Sequence, residues 1–185
     1  MMHGFAATLL LALACGSATA SEIWPIDDAH SSARFSVRTL WFTHERGTFD
    51  GVHGELRRND ADRDVVDAWI DATNLAMDDA HALQEALGPR FFDVAQYPRI
   101  HFESYPFADA TLRDGGALAG VLDLHGQRRW VQFTLLPSAC PGQPLACPIR
   151  VRGTLSRSAF DMRAHRGLLS DKVALDLDIM LDQPQ

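Results

Sequence analysis

The sequence predicts an all-β fold of about eight antiparallel strands with one helix packed near them, and three observations carry that prediction. Apolar and polar residues alternate with period two through most of the chain, the pattern of strands that are dry on one face and wet on the other. Only one stretch, Ala80 to Leu87, carries an apolar stripe at helical spacing instead. Turn-forming runs such as HGQR and PGQPLA separate the alternating segments. Such strands must bury their dry faces together, as a sandwich or as a closed barrel, and periodicity does not choose between the two. A barrel of about eight strands is either filled by its own side chains or holds one ligand.

Taken in order, the chain opens with an uncharged apolar run, residues 5–14, too short to span a bilayer and suited to the core of a signal peptide. Ala18-Thr19-Ala20 supplies small residues for cleavage after Ala20, so residues 1–20 are expected to be removed and 21–185 to form one domain. Cys15 offers lipid attachment as the alternative, although Ala12-Leu13-Ala14 before it is a poor lipobox. No later segment is apolar enough to cross a membrane, and the expected destination is the periplasm. Residues 1–20 hold no Asp, Glu, Lys or Arg, so the remainder keeps the formal charge of −7. That balance opposes binding to nucleic acid.

Ala33, Phe35 and Val37 alternate with Arg34, Ser36 and Arg38 as a first strand. Residues 47–56 are a second extended stretch, and Gly51 and Gly54 within it signal bulges or sharp bends. A charged turn at 57–64 leads to Val66, Ala68, Ile70 and Ala72 on one strand face. Asp78 or Asp79 caps the helix, whose stripe is Ala80, Leu83, Ala86 and Leu87, and Gly88-Pro89 ends it. Residues 90–104, RFFDVAQYPRIHFES, turn helix into strand: Pro98 bars further helix, and Ile100, Phe102 and Ser104 then alternate with Arg99, His101 and Glu103. Phe91 and Phe92 either fill a core or stand at the edge of an apolar cavity. Leu118, Gly120, Leu122 and Leu124 run into the tight His125-Gly126 turn and return as Val131, Phe133 and Leu135. Ile149, Val151, Gly153 and Leu155 follow, and Val173, Leu175, Leu177, Ile179 and Leu181 make the most regular strand. Between these, Cys140 and Cys147 are expected to form a disulfide in an oxidising compartment, stabilising by about 2–3 kcal/mol in the chain-entropy model.

Catalytic signatures are missing: there is no Gly-x-Ser-x-Gly, His-Glu-x-x-His, P-loop or dinucleotide glycine fingerprint. No catalytic residue, metal ligand or cofactor is assigned. His44 and His53 are near enough to meet across a hairpin as metal ligands, but surface or turn histidines are the ordinary case. His30, beside Asp27, Asp28 and Ser31, is either part of a hydrogen-bond cluster at a barrel end or a polar contact for a ligand head group. Arg157 has the same two readings, a phosphate contact or a partner of a local carboxylate.

Four segments, in order, resemble the YceI-like family of lipocalin-like, polyisoprenoid-binding periplasmic proteins: WPIDDAHSSARFSV, FFDVAQYPRIHFES, LAGVLDLHGQRRWVQF, and LSRSAFDM followed by SDKVALDLDIML. Asp161 departs from the family's usual Gly, and Asn74-Leu75-Ala76-Met77 from its usual run before the helix. The resemblance implies a lipocalin-like extended barrel around an apolar tunnel for a long isoprenoid chain, of polyprenyl phosphate or isoprenoid quinone type. The dry faces nominate Phe35, Val37, Ile70, Phe102, Leu122, Phe133, Leu175 and Leu177 as lining, with Phe91 and Phe92 near the opening. The expected role is a non-enzymatic carrier, store or stress protein for such a lipid. The alternatives are a hydrolase or lyase using His30 with Asp27 in the same cavity, or a packed-core protein without ligand. A homodimer is compatible with the sequence.

Overall fold

The computed structural model describes residues 22–39, 43–59, 61 and 63–183. The expected signal peptide, its cleavage point after Ala20 and Cys15 lie outside the described residues. The strand segments are β1 (Glu22–Pro25), β2 (Ser32–Thr39), β3 (Thr43–Asp50), β4 (Val52–Arg58), β5 (Arg63–Asp71) and β6 (Leu75–Ala76), then, after helix α1 (Ala80–Leu87), β7 (Arg99–Ser104) and β8 (Phe107–Ala108). A short helix α2 (Ala110–Asp114), which the alternation did not announce, precedes β9 (Gly116–Leu124), β10 (Gln127–Leu135), β11 (Ile149–Ser156) and β12 (Leu169–Ile179).

These twelve segments are the eight expected strands, because four of the strands are interrupted once each. β1 and β2 are broken by a 3₁₀ turn at Asp28–His30, where the Asp27 carboxylate accepts from the His30 amide. β3 and β4 run end to end through Gly51, at φ 81°. β5 and β6 are broken by a second 3₁₀ turn, Ala72–Asn74, capped by Asp71, and β7 and β8 by Tyr105-Pro106. Pairing then follows chain order: β2 with β3 and β1 with β4, β4 with β5 and β3 with β6, β5 with both β7 and β8, β7 with β9, and onward to β12. β12 pairs back on β2 and, through the Ile26–Leu181 bridge, on the end of β1. The antiparallel sheet therefore curls until its last strand meets its first, which leaves no long unpaired edge among the described residues. Of the two architectures left open by periodicity, the barrel is the one formed.

The local signals place the turns. His125 and Gly126 both take positive φ, 52° and 67°, the two-residue turn whose twist suits a β-hairpin. Gly54 stands opposite Ala68 at φ 129°, and a Cβ there would lie 2.1 Å from the Asp67 carbonyl oxygen, so only glycine permits this strand approach. Asp79 is the helix cap: its carboxylate accepts from the Ala82 amide at 2.7 Å. Cys140 and Cys147 are joined across the β10–β11 loop, Cα to Cα 6.0 Å.

Buried side chains close one end of the barrel. Trp24, Leu56, Phe107, Leu112, Leu118 and Leu135 are buried together there, with α2 contributing Leu112. The Arg58 fork holds the fully buried Asp64 (Nε–Oδ1 2.8 Å, Nη2–Oδ2 3.1 Å) and sits over the Trp24 ring at 5.1 Å. A buried charge is tolerated here because it is paired and doubly hydrogen-bonded.

Candidate functional site: an apolar cavity in the barrel

The barrel is hollow, and Leu56, Phe107, Leu112, Leu118 and Leu135 of that closed end border the hollow. The cavity measures about 580 Å³, within the range of sites that enclose small molecules. Three cross-strand arrangements keep the lumen open. The Phe35 ring covers Gly47, Phe102 covers Gly120 and Phe133 covers Gly153. A Cβ at those glycines would lie 2.4, 2.7 and 2.3 Å from the respective rings. Each ring lies against a glycine backbone instead of reaching across the lumen. All ten residues nominated as lining border this cavity: Phe35, Val37, Ile70, Phe91, Phe92, Phe102, Leu122, Phe133, Leu175 and Leu177. Several of them, among them Phe35, Ile70, Phe102, Leu175 and Leu177, are only half-buried although they point inward, because they face empty space.

Phe92 packs against Phe35 and Phe49, with ring centroids 5.9 and 5.4 Å apart, where residues 90–104 leave the helix. Phe91 lies further out and stacks on His165 at 6.0 Å. Several polar residues of the lining stand at this end. α1 contributes Asp79, His81 and Glu85, the turn at 161–168 contributes His165, and Thr39 at the tip of β2 pairs with Leu169. His165 Nε2 lies 2.5 Å from Glu85 Oε1. That hydrogen bond is the main reason the Glu85 carboxyl is held below the ordinary carboxylate range, with His81 and Arg90 adding to it.

Arg157 borders the cavity but is committed to the main chain. Its Nε donates to Ser170 O (2.9 Å), Nη1 to Met162 O (2.9 Å) and Ala164 O (2.6 Å), and Nη2 to Leu169 O (3.2 Å). Four of the five guanidinium donors thus go to main-chain carbonyls, which leaves one Nη2 donor for the phosphate contact expected from the sequence. Burial lowers its affinity for the proton, though nearby Asp171 partly offsets this.

His30 is also placed differently from its head-group reading. It makes the anticipated pair with Asp27, Nδ1 to Oδ2 2.6 Å, but on the outside of the barrel, beside a shallow polar depression bordered by Asp28, Asp50 and His53. The interrupted first strand turns it outward at the 3₁₀ turn. His53 stacks on Trp69 at 4.2 Å. β3 and β4 do not pair with one another, so His44 and His53 do not face across a hairpin. Among the described residues no cluster of His, Cys, Asp and Glu is arranged to hold a metal.

Glu85 and His165 were not legible in advance, since eighty positions separate them and no spacing rule connects them. Asp171 is a second such partner. Ser156 Oγ, and then the hydroxyl and amide of Ser158, donate to its carboxylate and hold it below the ordinary range. A depressed carboxyl contributes stability above its unfolded value, about 3.9, and loses it as pH falls through the folded value. Asp171→Asn should therefore lower the urea midpoint at pH 7, and the gap to the wild type should close in acid. A gap that persists undiminished at pH 2 would contradict the assignment.

A sequence profile described as the YceI-like domain matches residues 24–181. No curated protein matches the chain. Among solved structures, a polyisoprenoid binding domain from Saccharophagus degradans implicated in plant cell wall breakdown is 15% identical and superposes with a TM-score of 0.64, covering 87% of this chain and 98% of that one. Burkholderia cenocepacia BcnA is 17% identical with a TM-score of 0.70, over 85% of this chain and 99% of its own. The Campylobacter jejuni YCEI protein is 15% identical with a TM-score of 0.58, over 79% and 90%. At these identities the likeness is one of fold.

Proposed function

The chain belongs to the YceI-like family, and from that membership we propose that it is an exported, periplasmic binding protein that holds a long isoprenoid lipid in its barrel. It carries or stores the lipid without transforming it. The observation that carries the reading is the cavity: about 580 Å³ of interior, lined mostly by Phe, Leu, Ile and Val. Each buried CH₂ of a ligand is worth about 0.8 kcal/mol against water. A membrane offers the chain the same dry surroundings, so affinity depends on shape and on the head group.

Of the two head-group classes the resemblance implies, the lining favours the uncharged isoprenoid quinone over the polyprenyl phosphate. Its two guanidinium groups are both engaged, Arg157 with carbonyls and Arg34 with Asp178 at 2.5 Å. Glu45, Asp79 and Glu85 place carboxylates in the same lining. Export rests on residues 5–20, and the binding partner is a lipid rather than nucleic acid, as the −7 charge supports.

The test is organic extraction of natively purified protein followed by lipid mass spectrometry. The expected result is a stoichiometric prenyl lipid with a neutral head group. Repeated recovery of empty protein, together with failure to take up added prenyl lipid, would defeat the reading.

A further inference from the structure

We propose that the turn at 161–168 is a flap over the cavity mouth, hinged on Arg157 and latched to helix α1 by the Glu85–His165 contact, and that the latch sets how fast the lipid enters and leaves. The inference rests on the carrier reading for its biological meaning, but not for its geometry.

The base of the turn is clamped. The Arg157 guanidinium reaches Met162 O and Ala164 O on the outgoing limb, and Leu169 O and Ser170 O on the returning limb. One rigid, planar group thus holds both limbs together, which a lysine could not do. Among the described residues the tip has no such side-chain clamp, and it is closed by the Leu168 and Leu169 amides donating to His165 O. His165 and Gly167 take positive φ, 51° and 91°, and nothing lies within 4 Å of the space a Gly167 side chain would fill. Leu168 borders the cavity and is nevertheless 52% exposed, so the cavity meets solvent at this tip.

Opposite the tip lies α1, which contains no fully buried residue. Among the described residues, the His165–Glu85 hydrogen bond ties helix to turn, and the Phe91 ring stacked on His165 fills the gap behind it with an apolar face. A clamped base, a tip without a side-chain clamp and a single charge-assisted contact across the mouth make a hinged element held by one local bond. A ligand passing between helix and turn must break that bond first. His81 and Arg90 also stand near Glu85, and Arg166 near Arg157, without bridging the mouth.

Two measurements on the full mature protein test this. The first is amide hydrogen exchange without ligand. His165→Ala and Glu85→Ala should each speed exchange in 163–169 and in α1 by about tenfold, the size expected for a lost charge-assisted hydrogen bond. The hairpin of β9 and β10 should be unchanged, and the double variant should add nothing to either single one. Unchanged exchange at the turn and helix would overturn the latch, and a rise spread over the whole barrel would mean destabilisation and overturn it too. The second is stopped-flow binding of Nile red, a neutral dye that brightens in apolar surroundings. His165→Ala should raise the association rate as well as the dissociation rate by about tenfold, and His165→Gln, which keeps a donor for Glu85, should restore slow exchange. A rise in dissociation alone would make His165 an ordinary ligand contact and sink the gate. If wild-type protein binds neither dye nor prenyl lipid, the carrier reading fails, and hydrogen exchange alone decides the latch.

Discussion

Arg157→Ala is expected to cost the fold about 3–5 kcal/mol. The side chain is buried, and the substitution removes the donors of four main-chain carbonyls at once, those of Met162, Ala164, Leu169 and Ser170. Each carbonyl left without a donor in a partly dry site costs about 1–3 kcal/mol, and water entering from the cavity side recovers part of the sum. Arg157→Lys should recover little, because an ammonium on a single stem cannot span both limbs of the turn. Urea unfolding of the two variants measures the effect, and a loss below about 1 kcal/mol for Arg157→Ala would contradict the staple. A phosphate-binding arginine would behave oppositely, with little loss of stability and a large loss of affinity for an anionic ligand.

Ile70→Trp is expected to fold with nearly wild-type stability and to lose lipid binding. Ile70 stands between Val52 and Ile100 in register across three strands, and all three border the cavity. In a filled barrel the larger ring would overpack and cost about 1–3 kcal/mol or more. Here it would enter the cavity, where the proposed lipid would lie. Phe102→Ala makes the complementary test. A fully packed phenylalanine would cost about 3–5 kcal/mol on truncation, but Phe102 is only half-buried, with Phe133 at 5.3 Å on one side and the lumen on the other. Its loss should fall below that range. The thermal midpoints must be read on delipidated protein, because bound lipid stabilises the wild type by mass action. Severe destabilisation by Ile70→Trp, with no lipid recovered from the wild type, would mean that the cavity is not a ligand site.

Much of the barrel is readable from local pattern. Period two assigns inward and outward residues on any strand, whichever strands pair, so Phe35, Ile70, Phe102, Leu175 and the other nominated residues reach the same interior. Turn chemistry is equally local: His125-Gly126 sets the hairpin and Asp79 the helix start. The interruptions were less legible. Gly51 and Gly54 signalled bending, but nothing announced the 3₁₀ turns at Asp28–His30 and Ala72–Asn74. The first of those turns holds His30 on the outside of the barrel, paired with Asp27.

The sequence by itself determined the strand faces, the longer helix with its cap narrowed to Asp78 or Asp79, and the cysteine pair, because each depends on contacts between residues close along the chain or on a repeat that any pairing preserves. The tertiary structure alone decided that the ring closes, that its interior stays hollow, that Arg157 serves the backbone, and that Glu85 meets His165 across the mouth. Hollowness depends on whether opposed side chains meet across the lumen, and here Phe35, Phe102 and Phe133 fold back over Gly47, Gly120 and Gly153. The role of Arg157 depends on a turn that returns to the same guanidinium twelve and thirteen residues later. Neither is a periodic property, so neither leaves a trace in the spacing of residues along one chain.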